Sequence, residues 1–267
     1  MSRIDGIFNA LRKEGRSGLM PFITGGYPSL DITANILPAL ELAGASIVEI
    51  GIPFSDPIAD GPVIAVSMHE ALEAGVTPDA IFKTVAAVRA STRLGLIAMV
   101  SHSIVHRIGT QAFIERAAES GLDGFIIPDL DTSSGEAVSK LIRDQDMSLS
   151  LLIAPTTTPA RMKTLISLSS GFIYLLARTG LTGERDDAPS IAPQVEAIRK
   201  LTDLPIAVGF GVSRAEHVAA VTEQADAAIV GSALVRRMSG AADPVAAAAA
   251  FVSDLARGLR GANVIPR

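Results

Sequence analysis

The chain has 267 residues, 48% hydrophobic and 4% aromatic, with no cysteine and a formal charge of −5, which suits one large aliphatic core in a reducing compartment and excludes a disulfide framework. Binding a phosphate backbone needs a dense Lys/Arg face, and 23 Lys plus Arg set against 28 Asp plus Glu without a basic cluster exclude nucleic acid as a partner. The mean hydropathy of +0.39 comes from alanine and strand-like runs, all broken by Gly, Pro or a charge well short of the roughly 20 residues that span a membrane; no membrane association and a cytoplasmic location are expected.

In chain order, residues 1–13 read as a short amphipathic helix with mixed charges, unlike the charged-then-apolar layout of a signal peptide. Eight apolar runs of strand length follow, at 19–24, 46–50, 96–100, 124–128, 148–153, 172–177, 205–208 and 227–230. Helical patterns alternate with them. Eight strands each followed by a helix predict an α/β fold, a (β/α)₈ TIM barrel, whose strands are apolar on both faces because both are buried. The helix starts carry ordinary signals: Pro78, Asp243-Pro244, and Ser213 with Glu216 three residues later as a capping box. The longest connection, 51–77, contains its own helical stretch at 63–74 and reads as an insertion after strand 2. The expectation is a single TIM-barrel domain over 1–267 with an extra N-terminal helix.

Strand 2 carries an anomaly. With period-two alternation Ile47, Glu49 and Gly51 share one face and Val48 and Ile50 the other, so Glu49 is a carboxylate inside a buried strand. Desolvation raises the pKa of such a group and lets it donate and recover a proton near neutral pH. Pairing with an Arg or Lys elsewhere in the chain would explain it equally well, and the strand alone leaves both open. Two more carboxylates, Asp56 and Asp60, follow in the loop.

Barrel enzymes place their chemistry at the carboxyl ends of the strands. Here the sixth strand runs into Arg178-Thr179-Gly180-Leu181-Thr182-Gly183, the seventh into Gly209-Phe210-Gly211, and the eighth into Gly231-Ser232 before a short helix at 233–238. Glycines let backbone amides close on an anion and a helix start adds its dipole, so three such ends in succession predict a phosphate site.

The segment Glu49-Ile-Gly-Ile-Pro-Phe-Ser-Asp-Pro-Ile-Ala-Asp-Gly61 resembles the signature of the tryptophan synthase alpha chain family, with no core position missing. Residues 21–28, 154–159, the Thr-Gly loop, the Gly-Phe-Gly turn and the Gly-Ser pair are similar to the same family, nearly end to end. The resemblance implies a carbon–carbon lyase that cleaves indole-3-glycerol phosphate to indole and glyceraldehyde 3-phosphate and passes indole to a beta chain. It implies Glu49 as the acid/base at the indole ring carbon and Asp60 as acceptor of the indole N–H, with Phe22 packed on the ring. Gly183, Gly211, Gly231 and Ser232 would hold the phosphate, and Arg178 and Thr182 belong to a loop that closes over the site. Pro53, Phe54 and Asp56 would face the beta chain in an α₂β₂ heterotetramer. No cofactor is expected in this chain, pyridoxal phosphate being expected on the beta partner.

The residue types agree with that chemistry. Indole leaves well only when its C3 is protonated, which needs one carboxyl able to donate and accept and one fixed anion near the ring nitrogen. No metal is needed, and His69, His102, His106 and His217 read as surface or loop residues rather than ligands. Departures gather elsewhere: Ser101-His102-Ser103 where the family usually has Tyr-x-Asn, Asp131–Ser134 where it has a proline and acids after Asp-Leu, Ala65 for Gln and Ala177 for Ser. A stand-alone lyase and a weakly catalytic activator of a beta chain are the alternatives from this pattern; a phosphosugar isomerase of the same barrel type does not account for the Pro-Phe-Ser-Asp-Pro loop.

Overall fold

A computed structural model describes residues 1–56, 60–177, 191–209, 211–259 and 261. Its strands are β1 (Gly18–Thr24), β2 (Ile47–Gly51), β3 (Gly95–Met99), β4 (Gly124–Ile126), β5 (Ser148–Ser150), β6 (Leu152–Ile153), β7 (Ile173–Leu176), β8 (Ile206–Gly209) and β9 (Ala227–Val230). The helices that position the site are α1 (Arg3–Lys13), α2 (Leu30–Leu42), α3 (Pro62–Glu73), α4 (Pro78–Val88), α5 (His102–Ile108), α6 (Thr110–Glu119), α7 (Thr132–Asp144), α8 (Pro159–Leu168), α9 (Ala192–Arg199), α10 (Ala215–Thr222), α11 (Ser232–Met238) and α12 (Pro244–Ala256). All neighbouring strands pair in parallel, in the order β5-β4-β3-β2-β1-β9-β8-β7-β6.

The expected fifth strand is therefore two. Residues 148–150 pair with β4 and residues 152–153 with β7, so the ladder changes partner at Leu151, whose carbonyl still accepts from the Tyr174 amide at 3.3 Å. One continuous segment joins the two ends of the sheet, and the barrel closes through it. That is the TIM barrel anticipated from the eight runs, with α1 ahead of it and α3 inserted after β2.

Two apolar layers form because the strands are buried on both faces. Val48, Ile50, Leu96, Phe125, Leu149, Val208 and Val230 pack outward under the helices, while Met20, Ile47, Ile97, Ile126, Tyr174, Ala207 and Ile229 point inward. The inner layer is completed from below by α1. Ile4, Phe8 and Leu11 recur at helical spacing and enter the barrel's amino end, Phe8 meeting Phe172 with ring centroids 5.7 Å apart. Burial of each contributes about 2 kcal/mol. A Cβ on Gly95 would stand 2.6 Å from Ile4 Cδ1, so the first residue of β3 must be small for the plug to seat. Ser2 and Asp5 form a reciprocal capping box that starts this helix.

Other helix starts follow their signals: Thr77 caps α4 ahead of Pro78, and Asp243 caps α12. The box expected from Ser213 and Glu216 is absent. The N-cap of α10 is Arg214, with no side-chain cap bond, because the chain at Ser213 is held by a histidine one turn further on. α11 begins one residue earlier than expected, so Ser232 is its first residue rather than the one before it. Among the described residues no helix is long and apolar enough to cross a membrane.

Candidate active site

Glu49 sits in the middle of β2 between Phe22 of β1 and Ile97 of β3. Its side chain shares the inward face with Ile47, as the alternation predicts, and is fully buried. Neither carboxylate oxygen has a hydrogen-bond partner among the described residues, so the Arg or Lys pairing left open by the strand pattern is not made there. Burial alone holds its pKa well above the ordinary glutamate value. Desolvation favours the neutral form of such a carboxyl, the form that is able to donate a proton.

Asp60, in the connection after β2, is half-buried one residue before Gly61, the N-cap of α3, and burial raises its pKa as well. α3 is fastened to the barrel by hydroxyls. Ser67 donates to the Ile64 carbonyl at 2.8 Å, so in the 2.7 Å contact between Thr24 and Ser67 the threonine must donate. That buried pair fixes the helix on whose first turn Asp60 depends.

Tyr174, on β7 across the barrel, completes the group. Burial raises its phenol pKa, and the charges of Glu49 and Asp60 raise it further; the ring shares the inner layer with Ile47 and Ile97, the neighbours of Glu49. Tyr174 was missed from the sequence; the signal that could have found it is the one that marked Glu49, a polar tip on the inward face of an apolar strand. Two glycines make room for the aromatic rings. A Cβ on Gly51 would lie 2.6 Å from the Phe22 ring, and one on Gly209 would lie 2.6 Å from the Tyr174 hydroxyl oxygen.

Phe22 also borders the glycine at the end of β9. A Cβ built on Gly231 would reach Phe22 Cβ and Ile64 Cδ1 at 3.7 Å, ordinary contact, so the aromatic wall and the glycine share one corner. Gly231 is the N-cap of α11 and offers no side-chain cap, and amides at a helix start are the groups that face an anion. Ser232 is buried with its hydroxyl oxygen unpaired among the described residues. Gly211 follows β8 with φ of +86°, a conformation glycine adopts without strain. Arg178, Thr182 and Gly183 lie outside the described residues.

On the rim, Pro53 is buried, Phe54 half-buried and Asp56 exposed. The departures form their own structure: Asp129 accepts from the Ser101 hydroxyl and the His102 amide, both at 2.7 Å, tying the β3 exit to the β4 exit. Asp131 caps α7, its pKa lowered by hydrogen bonds from Ser133. His102 and His106 do lie one helical turn apart on α5, rings 6.3 Å apart, but among the described residues no group of three His, Asp or Glu is arranged to hold a metal ion. His217 is the exception to the surface reading of the histidines, being buried on α10.

Comparison with known proteins agrees with this geometry. The family model described as tryptophan synthase alpha chain matches residues 8–262. The chain belongs to the tryptophan synthase alpha chain family. It is 39% identical to the tryptophan synthase alpha chain of Rhodopirellula baltica, covering 98% of this chain and 99% of that one, and 41% identical to that of Chloroflexus aggregans, covering 96% and 97%. Among solved structures it is similar to Mycobacterium tuberculosis tryptophan synthase, with a TM-score of 0.89 and 31% identity over 97% of this chain and 99% of that one. It is likewise similar to the tryptophan synthase alpha subunit of Legionella pneumophila, with a TM-score of 0.88 and 31% identity over 97% and 98%. As a member of the alpha chain family it is an enzyme subunit of tryptophan biosynthesis, in a family that works with a beta chain.

Proposed function

We propose that this chain is a carbon–carbon lyase that splits indole-3-glycerol phosphate into indole and glyceraldehyde 3-phosphate by retro-aldol cleavage. The observation that carries it is Glu49, fully buried and unpaired among the described residues on the inner wall, with Asp60 half-buried in the connection after β2. In the proposed step the protonated Glu49 donates to indole C3, giving the indolenine tautomer. The carbon–carbon bond then breaks as the side-chain hydroxyl loses its proton to the Glu49 carboxylate. One proton is given and one recovered, so the enzyme is unchanged. Asp60 accepts from the indole N–H, and its negative charge stabilises the positive charge that develops on the ring.

Phe22 packs against the indole, where its ring already lies over Gly51. The phosphate is held by Gly183, Gly211, Gly231 and Ser232, whose hydroxyl supplies a further donor, while Arg178 and Thr182 belong to the loop that closes over the site. The product indole passes to a beta chain in an α₂β₂ assembly that docks on the rim at Pro53, Phe54 and Asp56, of which Asp56 presents the most surface. This chain works without a cofactor of its own, and pyridoxal phosphate belongs to the beta partner. The absence of cysteine and a role in amino-acid biosynthesis support a cytoplasmic location. Release of indole from indole-3-glycerol phosphate by the purified chain, measured alone and with a beta chain, tests the proposal: indole in both cases, faster with the partner, is expected, and none in either contradicts it.

A further inference from the structure

His217 lies on α10 with 4% of its surface exposed, and no proton transfer described above uses it. Its ring turns back onto the connection between β8 and α10. Nδ1 is 3.2 Å from the Gly211 carbonyl oxygen and 3.4 Å from the Ser213 amide nitrogen. One ring nitrogen thus meets both ends of the stretch 211–213. In one neutral tautomer it donates to the Gly211 carbonyl; in the other it accepts from the Ser213 N–H. Either bond ties this turn to the body of α10, whose Val218 and Val221 are fully buried. The turn needs such a tie, because Gly211, at φ of +86°, has no side chain to fix its peptide planes.

We propose that His217 is a positioning residue for phosphate recognition, holding the 211–213 turn so that the Gly211 amide faces the substrate's phosphate, given the phosphate assignment made under the proposed function. The carbonyl and amide of Gly211 flank one Cα, so tethering one end of the residue orients the other. His217 touches no reacting atom. Its removal therefore weakens binding of the phosphate in ground state and transition state alike and leaves the chemical step in place.

The test compares wild type with His217→Leu, His217→Ala, His217→Asn and Gly211→Asp in the full-length chain. It reads kcat and KM for indole-3-glycerol phosphate and the inhibition constant of glycerol 3-phosphate, which carries the same phosphate and glycerol unit without the indole. His217→Leu and His217→Ala are expected to raise KM and the inhibition constant by about fivefold to tenfold, the loss of one hydrogen bond, with kcat within about twofold. Asn, whose polar atoms hang on Cγ as Nδ1 does, restores both constants to near wild type. Two apolar variants are used so that a folding failure in one leaves the other to decide. If both bind glycerol 3-phosphate as tightly as wild type and lose only thermal stability, His217 is merely structural and the proposal is overturned. It is also overturned if Asn is as impaired as Leu. Gly211→Asp separates the two levels: unimpaired binding in that variant removes the phosphate assignment itself, whereas loss there with silent His217 variants removes only the role of His217.

Discussion

Asp123 and Asp226 do the same work four strands apart on the barrel. Each stands one residue before a strand, β4 or β9, and accepts at 2.8 Å from an amide of the preceding strand, Leu96 or Ile206. Each returns its own amide to the carbonyl of that same residue, at 2.7 and 2.9 Å. Each also takes one arginine from the end of a helix, Arg89 after α4 or Arg199 of α9, and one from the plug helix, Arg3 at 3.0 Å or Arg12 at 3.6 Å. α1 is therefore pinned at both ends by two carboxylates on opposite walls, beneath the layer that carries Glu49.

Burial raises the Asp123 pKa in spite of Arg89 and lowers that of Arg89 in spite of Asp123, so desolvation outweighs attraction in this pair. Breaking it is still costly. Asp123→Ala leaves Arg89, 16% exposed at its side chain, without its carboxylate and the Leu96 amide without an acceptor; a loss of about 3 kcal/mol in urea unfolding is expected. Arg3→Ala, which removes a half-exposed partner, should cost under about 1 kcal/mol. Equal losses in the two variants would contradict this division.

Tyr174 and Gly209 should behave as a coupled pair. Gly209→Ala forces its methyl to within 2.6 Å of the Tyr174 hydroxyl oxygen and should displace the ring, lowering kcat/KM by about tenfold or more. Tyr174→Phe in the same chain removes the atom in closest conflict and should recover part of the loss. A double-mutant cycle measures it, with a coupling of about 1 kcal/mol expected; strict additivity would show that the two do not meet.

Glu49 also makes a prediction about stability. Its folded pKa is raised, so the favourable protonated state is fully kept below the unfolded value near 4.5 and is lost as pH rises through the folded value. Glu49→Gln cannot ionise. The melting temperature of this variant relative to wild type should therefore increase with pH across that window and be constant below it. A difference independent of pH would mean that Glu49 is not protonated in the fold.

Gly231 tests the corner it shares with Phe22. A methyl there makes only 3.7 Å contacts, so Gly231→Ala should fold and bind nearly as wild type does. Gly231→Asp places a carboxylate against the phosphate and should weaken glycerol 3-phosphate inhibition by about thirtyfold or more. If both variants bind alike, the phosphate lies elsewhere.

The barrel was legible because its strands are buried on both faces and so read as unbroken apolar runs, and Glu49 was legible because it interrupts one of them. The split at Leu151 was not, since hydrophobicity reports burial and says nothing of which neighbour a strand pairs with. Ser213 and Glu216 spelled a helix cap that local sequence favours, but His217, folding back from α10, claims the turn instead. The twin carboxylates were invisible for the same reason: Asp123 and Asp226 look like ordinary loop acids until the topology brings Arg89, Arg199 and α1 beside them.

Turnover of indole-3-glycerol phosphate by Glu49→Gln tests the proton-transfer assignment most directly, because the amide keeps the shape of the carboxyl and cannot exchange the proton. Indole release should fall by about a hundredfold or more, with inhibition by glycerol 3-phosphate unchanged. Indole release near the wild-type rate, with binding intact, would contradict the account.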